Sequence, residues 1–115
     1  MKGDRMLYKV KAKIKHDKMK DFFAALINGK IESQQPDGTT MLKAMKDALM
    51  VDGQTIEWYE VCYCPTPFKH ERATVYDTYL YDFETTLVYE VKNDIVGNSF
   101  WDYLEKMYYD DTYSY

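Results

Sequence analysis

Residues 6–15, "MLYKVKAKIK", alternate almost without error: Met6, Tyr8, Val10, Ala12 and Ile14 fall on one side, and Lys9, Lys11, Lys13 and Lys15 on the other. A period of two over that length describes a strand with one side buried and one side in water. A sheet wetted on one face suits antiparallel pairing far better than a parallel sheet covered on both. The four ammonium groups, about 6.6 Å apart at twice the per-residue rise, form a stripe that attracts anions or discourages edge pairing.

The period then changes. In "HDKMKDFFAALING", Met19, Phe22, Phe23, Leu26 and Ile27 follow the spacing of an amphipathic helix, with Asp17 as N-cap and Gly29 as the stop. Pro36, Asp37 and Gly38 signal a turn, after a short edge strand expected near residues 30–33. A second helix is expected in "TTMLKAMKDALMVDG", capped by Thr39 or Thr40 and carrying Leu42, Met45, Ala48 and Leu49 on one stripe. "TIEWYEVCYC" restores period two with both faces partly apolar, the pattern of a central strand that Pro65 and Pro67 end. A third strand is predicted over about residues 73–81, and the polar residues Asp82 to Glu84 turn it into a fourth, "TTLVYEV". Ser99 caps a last helix whose buried stripe is Phe100, Trp101, Leu104, Met107 and Tyr108, and residues 110–115 read as a frayed tail.

The implied fold is a single α+β domain over residues 1–115: a two-layer sandwich with a mainly antiparallel sheet and helices on one face. At the level of layout this resembles the ferredoxin-like family of small domains, from which the extra helix and the irregular second strand depart. The resemblance implies a homodimer formed through the open face of the sheet.

A chain of 115 residues can bury one core without metal or disulfide, and no run approaches the length needed to cross a bilayer. The start "MKGDRMLYKVK" lacks a signal-peptide core, so a cytoplasmic location without membrane contact is expected. The net charge of −4 argues against general nucleic-acid binding. Charge is uneven: residues 1–50 carry eleven Lys and Arg against six Asp and Glu, and residues 51–115 carry four against thirteen. The halves are expected to interleave and neutralise each other. Eleven of the twelve tyrosines follow residue 51, which favours strands and a wet-rimmed apolar surface there.

Chemistry concentrates in "CYCPTPFKHERATVYD", residues 62–77. Cys62 and Cys64 with His70 and Glu71 match no established zinc spacing, so reduced thiols packed as small hydrophobes are the simpler reading, with no metal and no cofactor. Cys64 with His70 as base lacks the electropositive setting of an activated nucleophile. If residues 73–81 form a strand, Asp77, Tyr79, Tyr81 and Phe83 share a side, which sets a carboxylate beside phenols as a candidate base. Arg72 is placed to hold an anion. Glu60 shares the Trp58 face and must be paired, protonated or near an opening.

Three functions follow as expectations. The first is a small-molecule binding or regulatory module with a pocket walled by Trp58, Tyr59, Tyr63, Tyr79 and Tyr81 and anchored by His70, Glu71 and Arg72. The second is a cofactor-free isomerase or oxygenase of small aromatic or keto substrates, with Asp77 or His70 as base. The third is a protein-interaction module without chemistry.

Overall fold

The computed structural model describes residues 6–63 and 66–113, with side chains through residue 109. Strand β1 (Met6–Ile14) buries Val10, Ala12 and Ile14 and leaves Lys9, Lys11 and Lys13 on the opposite side, as its alternation requires. It pairs antiparallel with β3 (Thr55–Cys62) on one flank and β4 (Leu80–Val88) on the other. Two short strands, β2 (Leu49–Met50) and β5 (Asn98–Ser99), complete an antiparallel sheet in the order β4-β1-β3-β2-β5. Strand β3 is therefore central, as the apolar residues on both its faces imply. The elements up to β4 run β1, two helices, β2, β3, a helical segment and β4, so one helix more than the β-α-β-β-α-β order of the layout named above lies between β1 and β2. Strand β5 and the helix after it are additions.

The helices make the second layer. A 3-10 turn (His16–Lys18) leads into α1 (Met19–Ile27), whose Met19, Phe22, Phe23 and Leu26 are buried and whose end is marked by Gly29 at φ +87°. Asp17 thus lies in the preceding turn and does not cap α1. Residues 28–37 fold as turns and not as an edge strand, anchored by buried Ile31. Helix α2 (Gly38–Asp47) follows Asp37, makes no side-chain cap bond, and stops before Ala48, so Leu49 belongs to β2. Helix α5 (Phe100–Tyr113) takes its cap as expected, with Asp102 N–H donating to Ser99 Oγ at 3.1 Å, and it includes residues 110–113 of the segment read as a tail. Residues 114 and 115 lie outside the described residues. Phe100 and Leu104 join the core formed by α1, α2 and the inner sheet face.

The stretch predicted as the third strand is helical. Residues 69–79 run as one turn of α3 (Lys69–Glu71), a π segment (Arg72–Tyr76) and one turn of α4 (Asp77–Tyr79). β-branched and aromatic residues favour a strand there, but Phe68, Glu71, Val75 and Tyr76 are the buried positions, and only a helical path brings those four inward together. Only residues 80 and 81 of that stretch are extended, and they run without a turn into residues 85–88 of the predicted fourth strand as one strand, β4. Asp82, at φ +50°, does not end it; it sits at a register shift against Lys11 to Lys13, and the bulge turns Phe83 inward.

From β4 at one edge to β5 at the other, residues 89–97 cross the outer face of the sheet. Asp94 accepts from Lys9 Nζ at 3.0 Å and from the Tyr59 hydroxyl. These contacts hold Asp94 below the usual carboxylate range and raise both Lys9 and Tyr59. This strap covers part of the face that the sequence leaves open for a partner. No described helix is long and apolar enough to cross a membrane.

Candidate functional site

Alternation along β3 points Glu60 inward beside Trp58, onto the face that the helices cover. Glu60 is 3% exposed. Its Oε1 accepts from Trp58 Nε1 at 2.8 Å and from the Tyr76 hydroxyl at 2.6 Å. Its Oε2 is fully buried, and among the described residues no donor reaches it. Burial pushes the Glu60 pKa up to about 8 against those two hydrogen bonds, and the charges of Glu71 and Asp37 push the same way. Burial likewise holds the Tyr76 phenol well above its ordinary value. Trp58, Tyr76, Phe68 and Phe83 form the surrounding cage, with ring centroids 5.4–5.9 Å apart in four of their pairings.

Helix residues 69–79 supply the rest of the site. Glu71 and Tyr76 are both buried on the inner side, five residues apart across the π segment, where bonding is of the i to i+5 kind: Asp77 N–H reaches the Arg72 carbonyl. His70 lies one residue before Glu71 and turns toward α2, where its Nδ1 stands 3.1 Å from Asp37 Oδ2 and 3.3 Å from Oδ1. The ligand-type atoms of Asp37, His70 and Glu71 all lie within 4.8 Å of one another. The group runs from solvent, where the His70 side chain is 43% exposed, to full burial at Glu71 and Glu60.

Asp37 is held by backbone contacts. Gly38 N–H donates to the Gln34 carbonyl at 2.7 Å, and the Gly38 Cα packs so closely that a Cβ would lie 2.3 Å from the Ile31 carbonyl oxygen. Phe68, in the left-handed region at φ +57° and fully buried, starts the helix on the other side, with its N–H on Cys62 Sγ at 3.3 Å.

The residues singled out in the sequence fall in separate places. His70 and Glu71 meet in the cluster. Trp58 touches Glu60 from the core, whereas Tyr59 is on the outer face under the strap and Tyr63 is exposed beyond the end of β3. Tyr79 stacks on Phe22 at 4.5 Å. Tyr81 lies opposite Lys13 on the outer face, with Lys13 Nζ 6.0 Å from its ring centroid. Asp77 and Tyr79 are on a helix and Tyr81 and Phe83 are on opposite faces of β4, so the side shared by all four does not form. Arg72 Nε donates to Asp77 Oδ1 at 2.9 Å in an ion pair with both side chains about half exposed, and its guanidinium lies 5.0 Å from the Phe83 ring centroid. Cys62 is buried, with its Sγ accepting from the Phe68 N–H, and Cys64 lies outside the described residues. Open clefts among the described residues include one of about 350 Å³ between α2 and the strap, with Glu60 and Tyr59 in its lining, one of about 880 Å³ between the β2–β3 turn and α5, and one of about 310 Å³ beside α1 and Tyr79.

Asp37 and Tyr76 are the members that the sequence does not announce. Asp37 reads as a turn residue, and its link to His70 spans 33 positions. Comparison with protein-family models, curated proteins and solved structures finds no match.

Proposed function

We propose that this domain is a binding module of regulatory type for a small cationic ligand, which docks at Asp37, His70 and Glu71 over Glu60. The observation that carries the reading is the buried Glu60 oxygen without a donor, beside a cluster that reaches the surface. A buried polar atom left unsatisfied costs stability, and such groups concentrate where a ligand completes them. The carboxylates of Asp37 and Glu71 beside one imidazole, with the Glu60 carboxyl behind them, favour a cation as that ligand.

A thermal-shift screen of divalent cations and small ammonium compounds tests this. A ligand at one hundred times its Kd stabilises the native state by about 2.7 kcal/mol, a rise of several degrees in Tm. Wild type is expected to show such a rise with at least one cation, and Asp37→Asn to lose it. A screen with no responding cation, or an equal response in Asp37→Asn, would sink the reading.

A second reading, the cofactor-free isomerase, is favoured by one contact: His70 Nδ1 faces Asp37, the arrangement that orients an imidazole base. Asp77 is taken up by Arg72 in solvent and is not part of that arrangement.

The setting we propose is a cytoplasmic homodimer formed along β4 and not through the strapped face. Two β4 strands paired antiparallel about Thr85 place Phe83 opposite Leu87 and set Glu84 and Asp82 opposite Thr86 and Val88, so like charges never oppose.

A further inference from the structure

The cluster's dimensions narrow the class of cation, on the premise of the binding reading above. Two ligand atoms bound to one ion at 2.0–2.3 Å stand roughly 3.0 Å apart at a right angle and about 4.2 Å apart when opposite. The donor atoms of Asp37, His70 and Glu71 lie within 4.8 Å of one another, and the closest pair, His70 Nδ1 and Asp37 Oδ2, is 3.1 Å apart. That spacing is of the size of a coordination sphere, and the 3.1 Å pair is closer than the roughly 4.6 Å that two acceptors of one ammonium group keep, which favours a metal ion over an organic ammonium. One imidazole nitrogen with carboxylate oxygens is the donor set of first-row divalent metals, whereas magnesium and calcium prefer oxygen alone.

The independent observation is Glu60. Its side chain is buried, its Oε1 is fixed by Trp58 and Tyr76, and its Oε2 is left without a donor. Tyr76, which donates to Glu60, is carried by the same helical segment as Glu71, and Glu71 and Asp37 stand close enough for their charges to act on Glu60, so the buried carboxyl lies behind the cluster. We infer that Asp37, His70 and Glu71 form a binding site for one first-row divalent metal ion such as Zn²⁺ or Mn²⁺, with Glu60 as a further oxygen behind it. The thiol-based zinc set suggested by residues 62–71 is a different one: among the described residues Cys62 is not part of the group that could hold an ion.

The experiment is titration of chelator-treated full chain with Zn²⁺ and separately with Mn²⁺, followed by calorimetry and, for Mn²⁺, by the loss of the free-ion paramagnetic resonance signal. One ion per chain is expected. Affinity should fall at least tenfold in His70→Ala and in Asp37→Asn, and should hold in His16→Ala, which removes the other, exposed histidine. Asp37 and His70 sit at the cluster's outer end, so these two variants are the ones expected to fold, with circular dichroism as the check. Failure of either ion to bind, or binding that survives in both variants, overturns the metal assignment. If it is overturned while an alkyl ammonium compound still raises the melting temperature of wild type but not of Asp37→Asn, the broader reading stands without it. If the ammonium compound fails as well, both fall together.

Discussion

Glu60 ties the stability of this fold to pH in the direction opposite to that of a salt-bridged carboxylate. Its folded pKa of about 8 lies above its ordinary value of 4.5, so between those values the native state holds a proton that the unfolded chain has released. Stability from this group is full below about pH 4.5, falls as pH rises, and is lost above about 8. The loss is on the order of 5 kcal/mol. In chelator-treated protein, Glu60→Gln keeps an oxygen to accept from Trp58 and Tyr76 but cannot ionise. Its Tm is expected to exceed that of wild type at pH 9 and to match or trail it at pH 5. A wild-type Tm flat across that range would count against a titrating Glu60. The residue is legible in the sequence, because strict alternation sets a carboxylate on the Trp58 face. Its partners are not, since period and spacing report what lies along one element and say nothing of Asp37, which arrives from a turn that residues 28–38 build among themselves.

At the scale of elements, the site depends on two short pieces of chain meeting: the start of α2 and the helix of residues 69–79. Gly38 sets the first. Adding a Cβ there drives it to 2.3 Å from the Ile31 carbonyl and 2.5 Å from that of Glu32, both backbone atoms with little freedom to yield. Gly38→Ala should cost roughly 1–3 kcal/mol and weaken cation binding as well, because Asp37 moves with the backbone. A variant of unchanged Tm and unchanged affinity would show that the turn can absorb the methyl group. The helix of residues 69–79 shows where sequence patterning runs out. "ATVYDTYLY" is rich in strand-forming residues, and the burial of Phe68, Glu71, Val75 and Tyr76 against the sheet overrides that local preference. Strands β2 and β5, two residues each, are too short to carry any period at all.

For the whole molecule, the two layers follow from β1 and α1, whose buried faces were plain in the sequence and which together account for much of the core. The position of the free surface was not. With residues 89–97 across the outer face, the long edge strand is β4, nine residues against two in β5 at the other edge, and Leu87, 48% exposed, lies on it. Sedimentation velocity should find wild type dimeric at micromolar concentration and Leu87→Asp monomeric, with stability altered by less than about 0.5 kcal/mol, as for an exposed position. A monomeric wild type, or a variant that stays dimeric, would exclude pairing through this edge.

The strap has one more consequence. Val96, 85% exposed, lies on the only stretch of chain that joins the acid-bearing part of the fold to β5 and α5. A single peptide-bond cleavage there would leave a long fragment holding every member of the cation cluster and a short one whose Phe100 and Leu104 plug the gap between α1 and α2. After such a cut the two pieces would be held by the pairing of β5 with β2 and by the packing of Phe100 and Leu104 in the core, in place of a covalent tether of nine residues laid across the back.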